Sequence, residues 1–310
     1  MRVPNFFIVG APKCATTAMH AYLRQHPAIF MPVLKELHFY GRDLMRLPSM
    51  LSEEAHDSLF LEAGHAESVG ETCIWALYSQ TAAREINEAH PQSKIIIMLR
   101  NPVEMLHALH SEYLIHAIED ITDFARALEA EPERKRGERL PPKERYPAAL
   151  YAYHEIATFS VQVERYFQAF GEDRVHIIVY DDLKRDTGSE YRRVLEFLGV
   201  DASVVPEFRT INSSQCLRSP RLQRLLVESA SLTEGWCRCL RPLGPERVAR
   251  LASTLKDWNL RSMPRPPLQP AVRDRLEAEF APEVERLGAL IGRDLSHWSN
   301  GSESLSLSTR

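Results

Sequence analysis

The chain is short of the features that would place a protein at a glance. Only five cysteines occur in 310 residues, at Cys14, Cys73, Cys216, Cys237 and Cys239, too few and too unevenly spaced for a disulfide framework. Cys237-Arg-Cys239 is half a metal site at most, because no second Cys or His pair stands at finger-like spacing. The thiols therefore read as reduced and structural, and no metal is expected. The longest apolar stretches, such as Ile95-Ile-Ile-Met-Leu99, fall well short of the roughly 20 residues of a membrane span. Phe6-Phe7-Ile8-Val9 is too brief for the apolar core of a signal peptide and runs straight into a glycine turn. A cytoplasmic protein is expected. A dominant charge is missing as well: 38 Lys+Arg against 42 Asp+Glu leave a net −4. That balance gives no reason to expect nucleic acid or a membrane as partner, and it leaves room for a local basic pocket that takes a small polyanion.

What is there is an ordinary globular composition, 44% hydrophobic and 26% charged, arranged as alternating strands and helices. Residues 5–9 read as a buried strand, 10–15 as a loop and 16–25 as a helix. Ser68–Thr72 and Lys94–Leu99 read as further strands, and the continuous apolar run of the second suits a parallel strand covered on both faces. Asn101-Pro102 opens a helix, with proline tolerated in the first turn. Residues 130–147 interleave glutamates and arginines with Pro132, Pro141, Pro142 and Pro147, the composition of a loop or a lid. A long helix is predicted over 148–170, then a strand at Val175–Val179 and a helix over 191–198 closed by Gly199. Helical segments broken by prolines follow, and residues 299–310 read as a disordered Ser-rich tail. The alternation predicts an α/β fold, a mostly parallel sheet flanked by helices, in a single domain over residues 1–298. Ligands of such sheets bind beyond the carboxyl ends of the strands.

Two clusters of chemistry stand at those ends, and a third lies elsewhere in the chain. Gly10-Ala-Pro-Lys-Cys-Ala-Thr-Thr17 joins the first strand to its helix and aims backbone N–H groups and the positive helix end at one point, which favours phosphate or sulfate. Lys13 adds a full charge, and Thr16 and Thr17 add hydroxyls. A nucleotide triphosphatase P-loop has four residues between two glycines and then Lys-Ser/Thr. Here the lysine follows Gly10 by three positions with no second glycine before it, and no convincing carboxylate for magnesium appears. The second cluster is Arg100-Asn-Pro, whose planar guanidinium suits paired hydrogen bonds to phosphate. The third is Lys35-Glu-Leu-His-Phe-Tyr40. If this segment is extended, Glu36 and His38 face the same side, where the carboxylate can take an acceptor's proton and the histidine can orient the acceptor. His107, His110 and His116 lie on one predicted helix without an acidic third ligand in register, and read as packed or exposed. Met45 and Met50 read as packing or pocket wall.

Taken with their order, these segments resemble the sulfotransferases that use 3′-phosphoadenosine-5′-phosphosulfate (PAPS), especially the bacterial and heparan-sulfate-type branch. The resemblance implies a P-loop-kinase-like sulfotransferase fold and transfer of a sulfuryl group from PAPS to a hydroxyl or similar acceptor, with adenosine 3′,5′-bisphosphate as product. It implies that Lys13, Cys14, Ala15, Thr16 and Thr17 hold the 5′-phosphosulfate, Lys13 at the bridging oxygen, and that Arg100 holds the 3′-phosphate. It makes Glu36 the general base, with His38 beside it. Three positions depart from the family. Ala15 replaces a glycine, and its backbone still donates there if φ is negative. Ala108 replaces a serine eight positions after Arg100, and Arg218 is expected to bring a basic residue back to that phosphate. After Gly70-Glu71, the family's Lys-Ser/Thr-Pro is here Thr72-Cys73-Ile74, so acceptor contacts are expected to differ. Val175-His-Ile-Ile-Val-Tyr-Asp-Asp-Leu183, Phe197-Leu-Gly199 and Gly292-Arg-Asp-Leu-Ser-His-Trp298 extend the likeness over residues 5–298. A kinase with a degenerate P-loop and a non-catalytic nucleotide-binding module are the rival readings. The acceptor, whether small molecule, lipid or carbohydrate, and the oligomeric state stay open.

Overall fold

The apolar runs that show no alternation become strands covered on both faces. In the computed structural model, which describes residues 3–44, 51–141, 146–209, 215–220, 222–223, 253–255, 257–262 and 265–299, β1 (Phe6–Gly10) and β3 (Ser68–Thr72) are buried at every position. β4 (Lys94–Leu99) is buried at all but its first residue. With β2 (Ile29–Phe30) and β5 (Val175–Val179) they form one sheet in the order β2-β3-β1-β4-β5, with every neighbouring pair parallel. From β1 the chain jumps to the edge at β2, returns inward to β3 beside β1, and then crosses to β4 and β5 on the other side, so the topological switch point falls at β1, where such sheets bind ligands. A separate antiparallel pair joins β6 (Gln215–Leu217) to β7 (Leu260–Ser262). The close approach of β3 to β1 requires Gly70, since a Cβ there would lie 2.1 Å from the Phe6 ring.

Eleven α-helices have both ends among the described residues. α1 (Thr16–Leu23), α2 (Glu53–Ser58), α3 (Ala82–Ala89) and α4 (Pro102–Ile115) serve the first half of the sheet. α5 (Phe124–Glu129), α6 (Glu131–Lys135), α7 (Tyr153–Ile156) and α8 (Phe159–Phe170) follow. α9 (Tyr180–Arg185), α10 (Thr187–Leu198) and α11 (Pro270–Ile291) complete the set. α10 ends as its sequence predicts, on Gly199 in the left-handed conformation at φ 80°. Among the described residues no helix is long and apolar enough to cross a membrane.

Two expectations are corrected. The single helix predicted over 148–170 is three pieces, a 3-10 turn at Ala148–Tyr151 and then α7 and α8, broken at Ala152 and Thr158, whose ψ values are 71° and 74°. The break has a packing cause. Leu150, Tyr151, Tyr153, Ile156 and Phe159 are all 0–1% exposed, and one straight helix would spread them around its whole circumference. The segment read as a solvated loop begins with α6 instead. Arg134 is fully buried and makes two 2.6 Å hydrogen bonds to Glu119, which also accepts from the Tyr153 hydroxyl at 2.8 Å. A charge enters a core when its partner and hydrogen bonds enter with it, and here the partner comes from 15 positions away. Residues 142–145, like Met45, Met50, Cys237, Cys239 and 300–310, lie outside the described residues.

The C-terminal segment docks onto the sheet's far edge. Arg293 bonds Asp182 at 2.5 Å and the Trp298 indole N–H donates to Asp181 at 2.6 Å. The Asp-Asp pair after β5 and the Gly-Arg-Asp-Leu-Ser-His-Trp ending are thus two halves of one contact.

Candidate active site

The loop after β1 is shaped by residues in unusual backbone conformations. Gly10 has φ 149°, and a Cβ there would meet Leu77 Cβ at 2.7 Å and the Ile74 carbonyl at 2.8 Å. Lys13 and Ala15 both lie in the left-handed region, at φ 59° and 67°. A negative φ was the expectation at Ala15, and its reversal explains why glycine suits the position: L-residues crowd their own carbonyl there. Ala15 is the N-cap of α1, makes no side-chain cap, and the first turn holds no acidic residue. The helix end is therefore open to an anion. Cys14 turns the other way. Its side chain is fully buried, its Sγ donates to the Pro12 carbonyl at 3.3 Å, and burial pushes the thiol up to about 12.

Arg100 leaves the end of β4 beside this loop. One guanidinium nitrogen donates to the Lys13 carbonyl at 3.4 Å, another lies 3.6 Å from Glu104, and the group rests 4.6 Å from the centre of the Tyr180 ring. The two residues after it start α4. The Asn101 side chain accepts from the N–H groups of Val103 and Glu104 at 2.9 and 3.3 Å, and Pro102 takes the first helical position. The motif thus divides into one residue facing the cleft and two that build the helix behind it. Farther along α4, Glu112 accepts from the Lys13 ammonium at 3.0 Å and pairs with His116 at 3.2 Å. The His116 hydrogen bond first, and Lys13 with it, hold the Glu112 carboxyl down to about 2 against its burial.

The third cluster is not extended. Glu36 and His38 have φ 60° and 52°, so the i, i+2 strand argument fails, yet both side chains reach the cleft. What holds them is the end of β3. The Glu36 N–H donates to the Thr72 carbonyl at 3.1 Å, the Ile74 N–H donates to the Glu36 carboxylate at 2.8 Å, and Lys35 pairs with Glu36. His38 Nδ1 lies 3.4 Å from Cys73 Sγ. Burial lowers the His38 pKa, and burial together with the charges of Glu36 and Glu71 pushes the Cys73 thiol up to about 12. Glu71, from the Gly-Glu segment, sits behind the loop: it is 2% exposed and binds His56 at 2.9 Å. The His56 ring stacks on Phe39 at 3.9 Å, so this buried pair backs the loop that carries His38.

One cleft of about 760 Å³ gathers Lys13, Ala15, Thr16, Thr17, Glu36, His38 and Arg100. Arg218 is not brought there. Its guanidinium lies over the Trp258 ring at 4.9 Å on an exposed side chain, and Arg265 lines the cleft in its place. Sequence reading also passed over Lys35, Ser111 and Glu112, and took His116 for a packed or exposed residue; all four line the cleft. Ser111 had a findable signal: it stands three positions after Ala108 on α4, about one helical turn on and hence on the same face. His107 and His110 line a separate cavity of about 280 Å³ against Phe124, with His110 bonded to the Ile121 carbonyl at 2.9 Å.

A family model described as the sulfotransferase domain matches residues 3–219. The chain belongs to the sulfotransferase family. The solved sulfotransferase from Alicyclobacillus acidocaldarius is 28% identical with a TM-score of 0.71, covering 96% of this chain and 99% of that one. It has the same architecture, a five-stranded parallel sheet flanked by helices. Carbohydrate sulfotransferase 15 of Mus musculus is 28% identical over 159 residues, 37% of this chain and 28% of that protein. The bifunctional heparan sulfate N-deacetylase/N-sulfotransferase 3 of Homo sapiens is 23% identical over 217 residues, 64% of this chain and 22% of that protein. This sulfotransferase chain thus spans less than a third of the length of the curated relatives it matches. The family is PAPS-dependent, with PAPS as sulfuryl donor and adenosine 3′,5′-bisphosphate as product.

Proposed function

We propose that the cleft transfers the sulfuryl group of PAPS to an acceptor hydroxyl, with Glu36 as base and Lys13 at the leaving group. The observation that carries the reading is the meeting, in one cleft, of an uncapped helix N-terminus with Lys13, Arg100 and the Glu36 carboxylate. The open end of α1, with the Thr16 and Thr17 hydroxyls, receives the 5′-phosphosulfate. Arg100, joined by Ser111 and Arg265 rather than Arg218, receives the 3′-phosphate. The acceptor oxygen attacks sulfur as Glu36 takes its proton. The bond from sulfur to the bridging oxygen breaks, and the charge that develops on that oxygen meets the Lys13 ammonium. Preorganised charge of this kind contributes without reorganising during the reaction. Glu112 holds the Lys13 ammonium at 3.0 Å, and PAPS competes with it for the lysine.

The names of the curated relatives support a carbohydrate as the first acceptor class to try. Calorimetry without magnesium should show adenosine 3′,5′-bisphosphate binding far more tightly than ADP. Labelled PAPS, incubated with oligosaccharides and then with lipid and small-molecule extracts, should deliver label to a product identified by mass spectrometry. Equal binding of the two nucleotides, or no transfer from PAPS to any acceptor panel, would remove the reading.

A further inference from the structure

Three side chains of different chemistry converge at the Glu36 end of the cleft. Cys73 Sγ stands 3.4 Å from His38 Nδ1, and a Glu36 carboxylate oxygen completes a group whose ligand atoms all lie within 4.8 Å of one another. Zinc holds thiolate sulfur at about 2.3 Å, imidazole nitrogen at about 2.0–2.1 Å and carboxylate oxygen at about 2.0–2.2 Å, tetrahedrally. At a tetrahedral angle those bonds put sulfur and nitrogen about 3.5 Å apart, so Cys73 and His38 already stand at ligand spacing. The carboxylate has to close by about 1 Å, within reach of a side-chain rotation.

We propose that Glu36, His38 and Cys73 form an inhibitory site for Zn²⁺, which silences the enzyme by occupying the lone pairs that would otherwise serve the acceptor. The inhibition rests on the reading of Glu36 as base; the binding does not.

The site is held from behind. Glu36 and His38 keep left-handed backbones, a conformation that persists only where the surroundings fix it, and the Glu36–Thr72 and Ile74–Glu36 hydrogen bonds fix it against the end of β3. Cys73 lies between those two anchors. Lys35 and the Ile74 N–H use two of the roughly four lone-pair directions of the Glu36 carboxylate and leave the others for a metal. Glu36 and His38 line the cleft, so a fourth coordination position opens where the acceptor enters. Thiolate and imidazole select zinc over magnesium and calcium, which take oxygen ligands.

Co²⁺ serves as the optical probe, because a thiolate ligand gives it a sulfur-to-metal charge-transfer absorption. Titration of the full chain with Co²⁺ should produce that absorption, and Zn²⁺ should bleach it. Cys73→Ser should abolish the absorption and weaken Zn²⁺ inhibition by about 10²-fold or more, since even groups behind metal ligands are worth about 10–100-fold. Inhibition of Cys73→Ser is read against that variant's own turnover in chelator, and adenosine 3′,5′-bisphosphate calorimetry reports that the variant is folded. His38→Gln should also lose the absorption. A missing charge-transfer band, or one that survives Cys73→Ser, would overturn the site. A bound metal with full turnover would overturn its inhibitory role. The spectrum stands even if Glu36→Gln proves active, a result that would reject the base assignment alone.

Discussion

The donor end of the cleft is carried by two strand-to-helix junctions, residues 10–17 and 99–102, whereas the Glu36 end is carried by a loop laid over the end of β3. At the proposed donor end each residue's backbone owes its place to elements next to it in sequence, Lys13 to the turn after β1 and Arg100 to the end of β4, and only the side-chain heads meet distant partners. At the other end Glu36 is held by Thr72 and Ile74, and His38 stands against Cys73, all more than 30 positions away. Local construction produces short motifs with fixed spacing. Non-local construction leaves almost no spacing to read, and its geometry is set by tertiary contacts. The two ends should also fail differently, one through nucleotide affinity and leaving-group charge, the other through the acceptor's proton.

The sharpest break between them is Glu36→Gln. The amide keeps the shape and an acceptor oxygen for the Ile74 N–H but has no basicity, so turnover should fall by about 10²–10⁴-fold, the worth of a positioned base. Affinity for adenosine 3′,5′-bisphosphate should stay within about twofold, since a group acting only in the transition state contributes nothing to product binding. Near-wild-type turnover together with a dead His38→Ala would move the base to the histidine.

Lys13→Ala comes next, with an expected loss of about 10²–10³ in kcat. In the proposed mechanism its partner is charge that develops as the bridging oxygen leaves, so the change in nucleotide binding should be much smaller. A loss confined to nucleotide affinity would make Lys13 a binding residue only.

These two variants also mark what was legible in the chain. The strand at Lys94–Leu99 could be read because a strand buried on both faces leaves an unbroken apolar run. β2 could not, because two residues carry no period. Arg134 was read as part of a loop or lid because its partner, Glu119, lies outside the local charge pattern. The Gly10–Thr17 loop and Arg100 were legible as motifs. Arg218 was misplaced and Arg265 missed, since both lie far along the chain from the motifs whose residues line the cleft. Glu112 was missed because an acid has no obvious place in an anion site until the structure shows it paired with Lys13.

Arg100→Ala should sharpen the donor side. A hydrogen bond to a charged group contributes about 1.5–3 kcal/mol, so affinity for adenosine 3′,5′-bisphosphate should fall by roughly 10- to 100-fold. Affinity for adenosine 5′-phosphate, which lacks the 3′-group, should hardly change. Equal losses for both ligands would make Arg100 a structural residue that only braces the Lys13 carbonyl and Tyr180. Glu112→Gln should act in the opposite direction. The Lys13–Glu112 pair is partly exposed, and such pairs contribute about 0.2–1 kcal/mol. Freeing the lysine should therefore tighten nucleotide binding by about 2–5-fold on a titration curve, and weaker binding would mean that Glu112 positions Lys13 rather than competing for it.

The smallest effect belongs to Ala15, where the donor loop departs from its own family. Its φ of 67° costs an L-residue about 1–2 kcal/mol. Glycine would remove that strain but would give back about 0.4–1 kcal/mol through the greater freedom of the unfolded chain. Ala15→Gly should thus stabilise the fold by about 0.5–1 kcal/mol, and thermal unfolding should shift upward by about 1–4 °C, taking the roughly 2–4 °C per kcal/mol of a domain of about 150–250 residues. Nucleotide affinity should stay level, because glycine can hold the same backbone angles and the donating N–H keeps its direction. The opposing term is packing, since the Ala15 methyl rests on the core cluster and burying a methyl-sized group is worth up to about 0.8 kcal/mol. A lower melting temperature in Ala15→Gly would therefore show that the methyl's contacts outweigh the left-handed strain, and that alanine is a better fit to this loop than glycine.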